Sequence, residues 1–336
     1  MNHPIDIVIP WVSGEDPAWR EQYRASVSDR YPSGNTGSIR FENWGNLHLL
    51  FRAIETFMPW FHKIFLVTCG EVPAFLDPQH PKLRIVSHRE YIPAEYLPTF
   101  NSNTIEMNLH RIEDLGDNFI LFNDDLFPLR YIPETYYFQD DVPCDEVFES
   151  VIVPVDGIGR LYGNALTAND VRIVNRNFEK LAVVSQHHDK WFSKVYGKEA
   201  LERNRTLSYW HHFTGFKNPH MANAYQKHHL QELWEKEHDL LDIASRNQFR
   251  YYTDISHIAL RYWQLCKGDF VPRKALGEKF SITMENYQDA AHLIETQATQ
   301  MISISEVCTP EEFVMIRERI NRALQSILPD ASSFER

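Results

Sequence analysis

The chain has 336 residues, 43% of them hydrophobic and 24% charged, which excludes a wholly disordered protein. Lys and Arg number 34 against 46 Asp and Glu, a formal charge of −12. That balance argues against general nucleic-acid binding and leaves room for local phosphate recognition through a metal ion or a few Arg side chains. No run approaches the roughly 18 consecutive apolar residues of a membrane span. The N-terminus lacks a basic region followed by an apolar one, so no signal peptide is expected. Cys69, Cys144, Cys266 and Cys308 are widely separated without a C-x-x-C pair, and read as reduced thiols of a cytoplasmic protein.

In chain order, residues 5–12 (IDIVIPWV) predict a buried strand ending at the turn Ser13-Gly14-Glu15-Asp16-Pro17. Residues 26–40 are polar and Gly/Ser-rich and read as a mobile loop. Leu47, Leu50, Phe51, Ile54, Phe57 and Met58 fall on one helical face, closed by Pro59. Residues 63–68 and 83–87 are β-branched and apolar, hence strands. Ile105, Leu109 and Ile112 predict a helix, and residues 118–122 (NFILF) another buried strand. Strands interleaved with helices imply an α/β fold with a mostly parallel sheet covered on both faces. Residues 128–190 hold short strand-like runs at 151–155, 171–174 and 181–184, an insertion or sheet extension. From about 191 the pattern turns helical, with a helix spanning about 220–237, another containing Ile255, Ile258, Ala259, Tyr262 and Leu265, and a charged helical tail over 280–336. The expected division is an α/β core over 1–190 and a mostly helical part over 191–336.

Asn123-Asp124-Asp125 directly follows a strand, where open α/β sheets bind ligands. Adjacent carboxylates repel unless a cation relieves them, and their oxygens suit Mg²⁺ or Mn²⁺ on a diphosphate. The alternative is a polar turn with a capping Asp. His220, within Asn218-Pro219-His220-Met221, is a candidate proton acceptor near neutral pH. Arg250 offers a planar fork for a phosphate, and Asp254, four residues on, is a candidate helix cap. Arg52, Arg111 and Lys194 are further candidate phosphate ligands. Trp11 is either a base-stacking ring or a core residue. No G-x-G-x-x-G, P-loop, G-x-S-x-G or H-E-x-x-H is present.

Taken together, these segments resemble the Stealth family of sugar-phosphate transferases, which includes bacterial capsule and exopolysaccharide enzymes and the catalytic core of N-acetylglucosamine-1-phosphate transferase. The matching stretches are IDIVIPWVSGEDP from Ile5; FRAIETFMPWFHKIFLVTCGEVPAFL, LPTFNSNTIEMNLHRI and FILFNDDLF between Arg40 and Leu126; and Phe216-Lys217-Asn218-Pro219-His220-Met221 through Arg250 and Asp254. A fourth, near Lys279-Phe280-Ser281-Ile282, is faint. Asn43 and Asn46 stand where many members carry acids, and Ser13 replaces the usual Asn.

The resemblance implies a Rossmann-like, GT-A-like fold that binds a nucleotide-sugar, typically a UDP-sugar. It implies hexose-1-phosphate transfer to a saccharide hydroxyl, with release of a nucleoside monophosphate. His220 would take the hydroxyl proton, or carry the phosphoryl group covalently. Arg250 would stabilise phosphoryl charge with Asp254 orienting Arg250 or His220, and Asp124 and Asp125 would hold Mg²⁺ or Mn²⁺. Trp11, Asp16, Arg52, Asn103, Arg111, Asn123 and Lys194 would contact substrate. The acceptor is a saccharide or a lipid-linked glycan, and the latter would place the enzyme at the inner membrane face. Two rivals remain: a metal-dependent glycosyltransferase releasing nucleoside diphosphate, and a non-catalytic subunit of a polysaccharide assembly complex.

Overall fold

The computed structural model describes residues 3–28, 30–31, 44–156, 160–306 and 308–336. Asn43 and most of the expected 26–40 loop lie outside the described residues. In chain order the strands are β1 (Asp6–Pro10), β2 (Ile64–Thr68), β3 (Leu83–Ser87), β4 (Asn118–Leu121), β5 (Leu126–Pro128), β6 (Phe138–Gln139), β7 (Val142–Asp145), β8 (Asn223–Gln226), β9 (Val271–Pro272), β10 (Glu278–Ile282) and β11 (Met301–Glu306). The helices that matter below are α1 (Pro17–Ser26), α2 (Leu47–Phe57), α3 (Ser102–Met107), α4 (Arg160–Asn177), α5 (Lys180–Gln186), α6 (Lys198–Leu207), α7 (Lys227–Lys236), α8 (His257–Lys267), α9 (Tyr287–Glu295) and α10 (Pro310–Ile327).

The central sheet has the order β3-β2-β1-β4-β8, parallel throughout except for β8, which runs antiparallel to β4. The four parallel strands follow the Rossmann-like order, which reverses between β1 and β4. The apolar runs of β1, β2 and β4 are buried on both faces, and β3 is the half-buried edge strand. Ile7, Ile9, Ile64, Leu66 and Ile120 pack with α2 on one side, while Val8, Phe65, Val67, Phe119 and Leu121 pack with Trp234 and Trp263 on the other. Two small sheets, β10-β11-β5 and β6-β7-β9, flank this core.

Several elements differ from the sequence expectation. Residues 171–174 and 181–184 lie in α4 and α5, because short apolar runs fit a buried helix stripe as well as a strand. The helix expected over 220–237 is β8 followed by α7. The expected helical tail contains β10 and β11 beside α9 and α10. Residues 191–336 therefore supply strands to all three sheets: β8 pairs with β4, β11 with β5 and β9 with β7.

Candidate functional site

At the carboxyl edge of the sheet, β1 leaves through Trp11 to Asp16 and β4 leaves through Phe122 to Asp125, on either side of the order reversal. Because β8 is antiparallel, its amino end meets the same edge. Leu121 pairs with Asn223, so the outgoing 122–125 segment runs beside the incoming 220–222 segment. This places His220 Nε2 3.5 Å from Asp125 Oδ2. The Asp125 backbone is pinned by the Ile304 amide of β11 at 2.9 Å, and Ser303 Oγ reaches its Oδ2 at 3.4 Å. The other oxygen, Oδ1, is buried and accepts no hydrogen bond among the described residues. A buried acceptor left that way costs about 1–3 kcal/mol, and such groups mark sites completed by something else.

His220 carries a second sign of function. Its φ is +56°, a left-handed conformation that costs a non-glycine residue about 1–2 kcal/mol. The turn that imposes it is held from below. Arg261 donates to Asn218 Oδ1 at 2.8 Å and to the Lys217 carbonyl at 3.1 Å, and its other nitrogens grip Asp145 at 2.7 and 2.8 Å. Asn218 in turn donates to the Tyr262 hydroxyl at 2.7 Å. The Asp145 carboxylate beside Arg261 raises an already high guanidinium pKa. Sequence reasoning missed Arg261 and Asp145. The available signal was a lone cation inside the apolar pattern of α8.

Asp254 occupies a second, different environment. It is fully buried, and its Oδ2 accepts from Asn101 Nδ2 (2.9 Å), Asn103 Nδ2 (3.1 Å), the Tyr162 hydroxyl (2.9 Å) and the Tyr251 amide (3.1 Å), while Oδ1 accepts from Asn247 Nδ2 (2.8 Å). Burial raises its pKa, and these bonds pull it back down. Asp254 does not cap α8; Ser256 does, accepting from the Ile258 amide. Arg250 lies above the start of α3, donating to Ser102 Oγ at 3.1 Å, with its guanidinium 5.9 Å from the Tyr162 ring centre.

A buried run of titratable groups lies between these two environments. His257 Nε2 is 3.9 Å from Glu106 Oε2, and His257 Nδ1 is 2.7 Å from the Tyr225 hydroxyl. Burial drives the Glu106 carboxyl up to about 8 despite the Arg250 charge, and the Asp170 carboxyl, bonded to Ser256, also up to about 8. Burial, with the nearby His220 and Arg261 charges, drives His257 down to about 3. None of Tyr162, Glu106, Asp170 or His257 was singled out from sequence.

The remaining sequence candidates scatter. Trp11 is in the core under β1, and Asp16 caps α1 through the Ala18 amide at 3.1 Å. Asn103 belongs to the Asp254 nest, and Asn123 is half-buried beside Asp124, which is exposed. Arg52 is bound at 2.7 Å through both Nε and Nη2 to Glu335 and at 3.0 Å to the Leu328 carbonyl, tying α2 to the chain after α10. Arg111 donates to Asn108 and lies over Trp234. Lys194 is exposed in the segment before α6.

Among the described residues no three His, Cys, Asp or Glu side chains converge as a cage for a metal ion. Two adjacent carboxylates, one with an unbonded buried oxygen, still fit a hard cation of the Mg²⁺ type, which takes one or two protein oxygens and fills its shell with water and phosphate.

A family model described as Stealth protein CR2, conserved region 2, matches residues 40–144, which span β2 to β7 and include Asn123, Asp124 and Asp125. The chain is 34% identical to the capsular polysaccharide phosphotransferase WcwK of Streptococcus pneumoniae, over 99% of this chain and 98% of that one. It is 31% identical to the exopolysaccharide phosphotransferase cps2G of Lactiplantibacillus plantarum, over 99% and 96%. It is 30% identical to the receptor polysaccharide phosphotransferase WefC of Streptococcus gordonii, over the whole of both chains.

Proposed function

This chain belongs to the Stealth family of phosphotransferases, and from that premise we propose that it moves hexose-1-phosphate from a nucleotide-sugar, a UDP-sugar by preference, to a saccharide hydroxyl in capsular or exopolysaccharide synthesis. The observation that carries this reading is the pairing of Asp125 with a strained His220 at the sheet's order reversal, one Asp125 oxygen facing the imidazole and the other left without a donor.

In this reading the sheet serves as a GT-A-like platform for the donor. His220, neutral, accepts the proton of the acceptor hydroxyl as that oxygen attacks the phosphorus next to the sugar. The imidazolium formed is stabilised by Asp125 Oδ2 at 3.5 Å, and general-base action of this kind contributes about 10²–10⁴-fold. The sugar C1–O bond stays intact, so the anomeric configuration is retained and a nucleoside monophosphate departs. Asp124 and Asp125 are the residues to hold Mg²⁺ or Mn²⁺, which when bound neutralises diphosphate charge. Arg250, above the amino end of α3, stabilises phosphoryl oxygens, and Asp254 fixes Asn103 and Tyr162 beside it. Direct displacement is preferred to a phosphohistidine, because His220 is already paired with a carboxylate that favours it as a base. We place the reaction in the cytoplasm, on a glycan acceptor that is free or lipid-linked.

The test is a screen of UDP-sugars against short saccharides, scored by the nucleotide released and by phosphorus NMR of the product. UMP with a phosphodiester resonance is the expected result. UDP with a plain glycoside would replace this reading with glycosyl transfer.

A further inference from the structure

Away from this edge, α5, the 187–192 turn and the end of α6 enclose an open groove of about 760 Å³. Its floor is apolar, with Leu181, Val184 and Phe192, and its rim carries His188, Arg205 and Tyr209. The surface around it is unusual for this chain. Tyr209 is 85% exposed and the next residue, Trp210, 54%, with Leu181 and Val195 also open to solvent. Residues 151–155 expose apolar side chains as well. That segment is held by backbone bonds from Ser150 to Gly215 and from Ile152 to Thr214, and it leaves Val151, Val153 and Val155 exposed.

The stretch of chain that carries this groove also differs in charge from the whole. Between residues 187 and 217 there are six Lys or Arg and three Asp or Glu, together with exposed His188, His211 and His212, whereas the whole chain carries −12. Exposed Trp and Tyr beside aliphatic side chains, bordered by cations, match the interface of a bilayer, where aromatic rings sit at headgroup level and basic residues meet anionic lipid. We propose that this face is a peripheral docking surface for an anionic phospholipid bilayer, with Tyr209 and Trp210 inserted and Arg205 at the headgroups. Among the described residues no helix is long and apolar enough to cross a membrane, so attachment by this face is reversible. The −12 of the whole chain orients it, since the acidic remainder is repelled by the same lipid. This inference does not depend on the reaction catalysed.

The experiment is co-sedimentation of the full chain with phosphatidylcholine vesicles, with and without roughly one-third phosphatidylglycerol. Binding is expected only to the anionic vesicles and should weaken as salt is raised. Arg205→Glu should weaken it roughly tenfold or more, and Tyr209→Ser with Trp210→Ser should abolish it, each with an unchanged melting temperature because the side chains are exposed. No sedimentation with either vesicle, equal sedimentation with both, or full binding by the well-folded variants would each overturn the proposal.

Discussion

Asp125 and Asp254 are both carboxylates held by loops at the edge of one sheet system, yet their surroundings are opposites. Asp254 accepts five hydrogen bonds, shared by both oxygens, from side chains and an amide in three stretches of chain, 101–103, 162 and 247–251. Asp125 has one oxygen beside a strained histidine and the other with no donor among the described residues. A saturated carboxylate is a keystone whose removal leaves its donors stranded. An unsaturated one holds free energy in reserve for a ligand. Under the proposed function, the contrast separates residues that would build the site from residues that would act in it.

The largest expected effect sharpens the acting half of that contrast. His220→Ala should cut turnover about 10²–10⁴-fold while leaving donor affinity within a few-fold. Asp125→Asn should lower turnover and also remove the dependence of donor binding on Mg²⁺, read by titration calorimetry with and without the ion. Donor affinity that ignores Mg²⁺ equally in the wild type and in Asp125→Asn would sink the cation site.

On the building side, Asp254→Ala strands five donors and should destabilise the fold by about 3 kcal/mol, seen in urea unfolding. If the variant unfolds like wild type but loses turnover, Asp254 acts in the site and the contrast fails. Smaller again is Arg52→Ala. Its bonds run to Glu335 and Leu328, so it should cost about 2 kcal/mol in stability with kcat/KM unchanged. A raised donor KM at unchanged stability would instead make Arg52 a phosphate ligand.

A further effect is on pH dependence. Glu106 and Asp170 titrate near 8 when folded and near 4 when unfolded, so between those values the native state holds protons that the unfolded state has lost. Their contribution to stability is complete at acid pH and is lost as pH rises toward 8. His257, near 3 when folded against 6.5, has the opposite sign below about pH 6.5 and offsets them there. Melting temperature should therefore fall from about pH 6.5 to 8 in the wild type, and Glu106→Gln should flatten that decline. A decline of equal slope in the variant would show that Glu106 is ionised in the native protein.

The central sheet was legible because β1, β2 and β4 are apolar runs buried on both faces, and because the half-buried edge strand β3 keeps Leu83, Ile85 and Val86, so that residues 83–87 match it at both ends. β8 was not. Asn223-Ala224-Tyr225-Gln226 is short and half polar, and its place is set by Gln226, which bonds Asn118 Oδ1 and the Asp141 carbonyl far away in sequence. For the site, the position of Asp124 and Asp125 after an apolar strand was enough to single them out. His220, Arg250 and Asp254 gained weight only from family resemblance, since one His among 16 carries little information. Tyr162, Asn101 and Asn247 were unreadable because what defines them is convergence on Asp254 from distant segments. Arg261 was readable in principle, as a charge inside an apolar helical stripe that had to find a buried partner.

The reversed direction of β8 also governs the order in which a nascent chain becomes competent. When the ribosome has delivered residues through β7, the four parallel strands and both aspartates exist, but one side of β4 is an unpaired edge inviting another chain. The strand that closes this edge is the one that delivers His220 to Asp125. Vectorial synthesis thus covers the sheet edge and sets His220 beside Asp125 in a single event, and a product truncated before residue 223 would leave that edge open to aggregation.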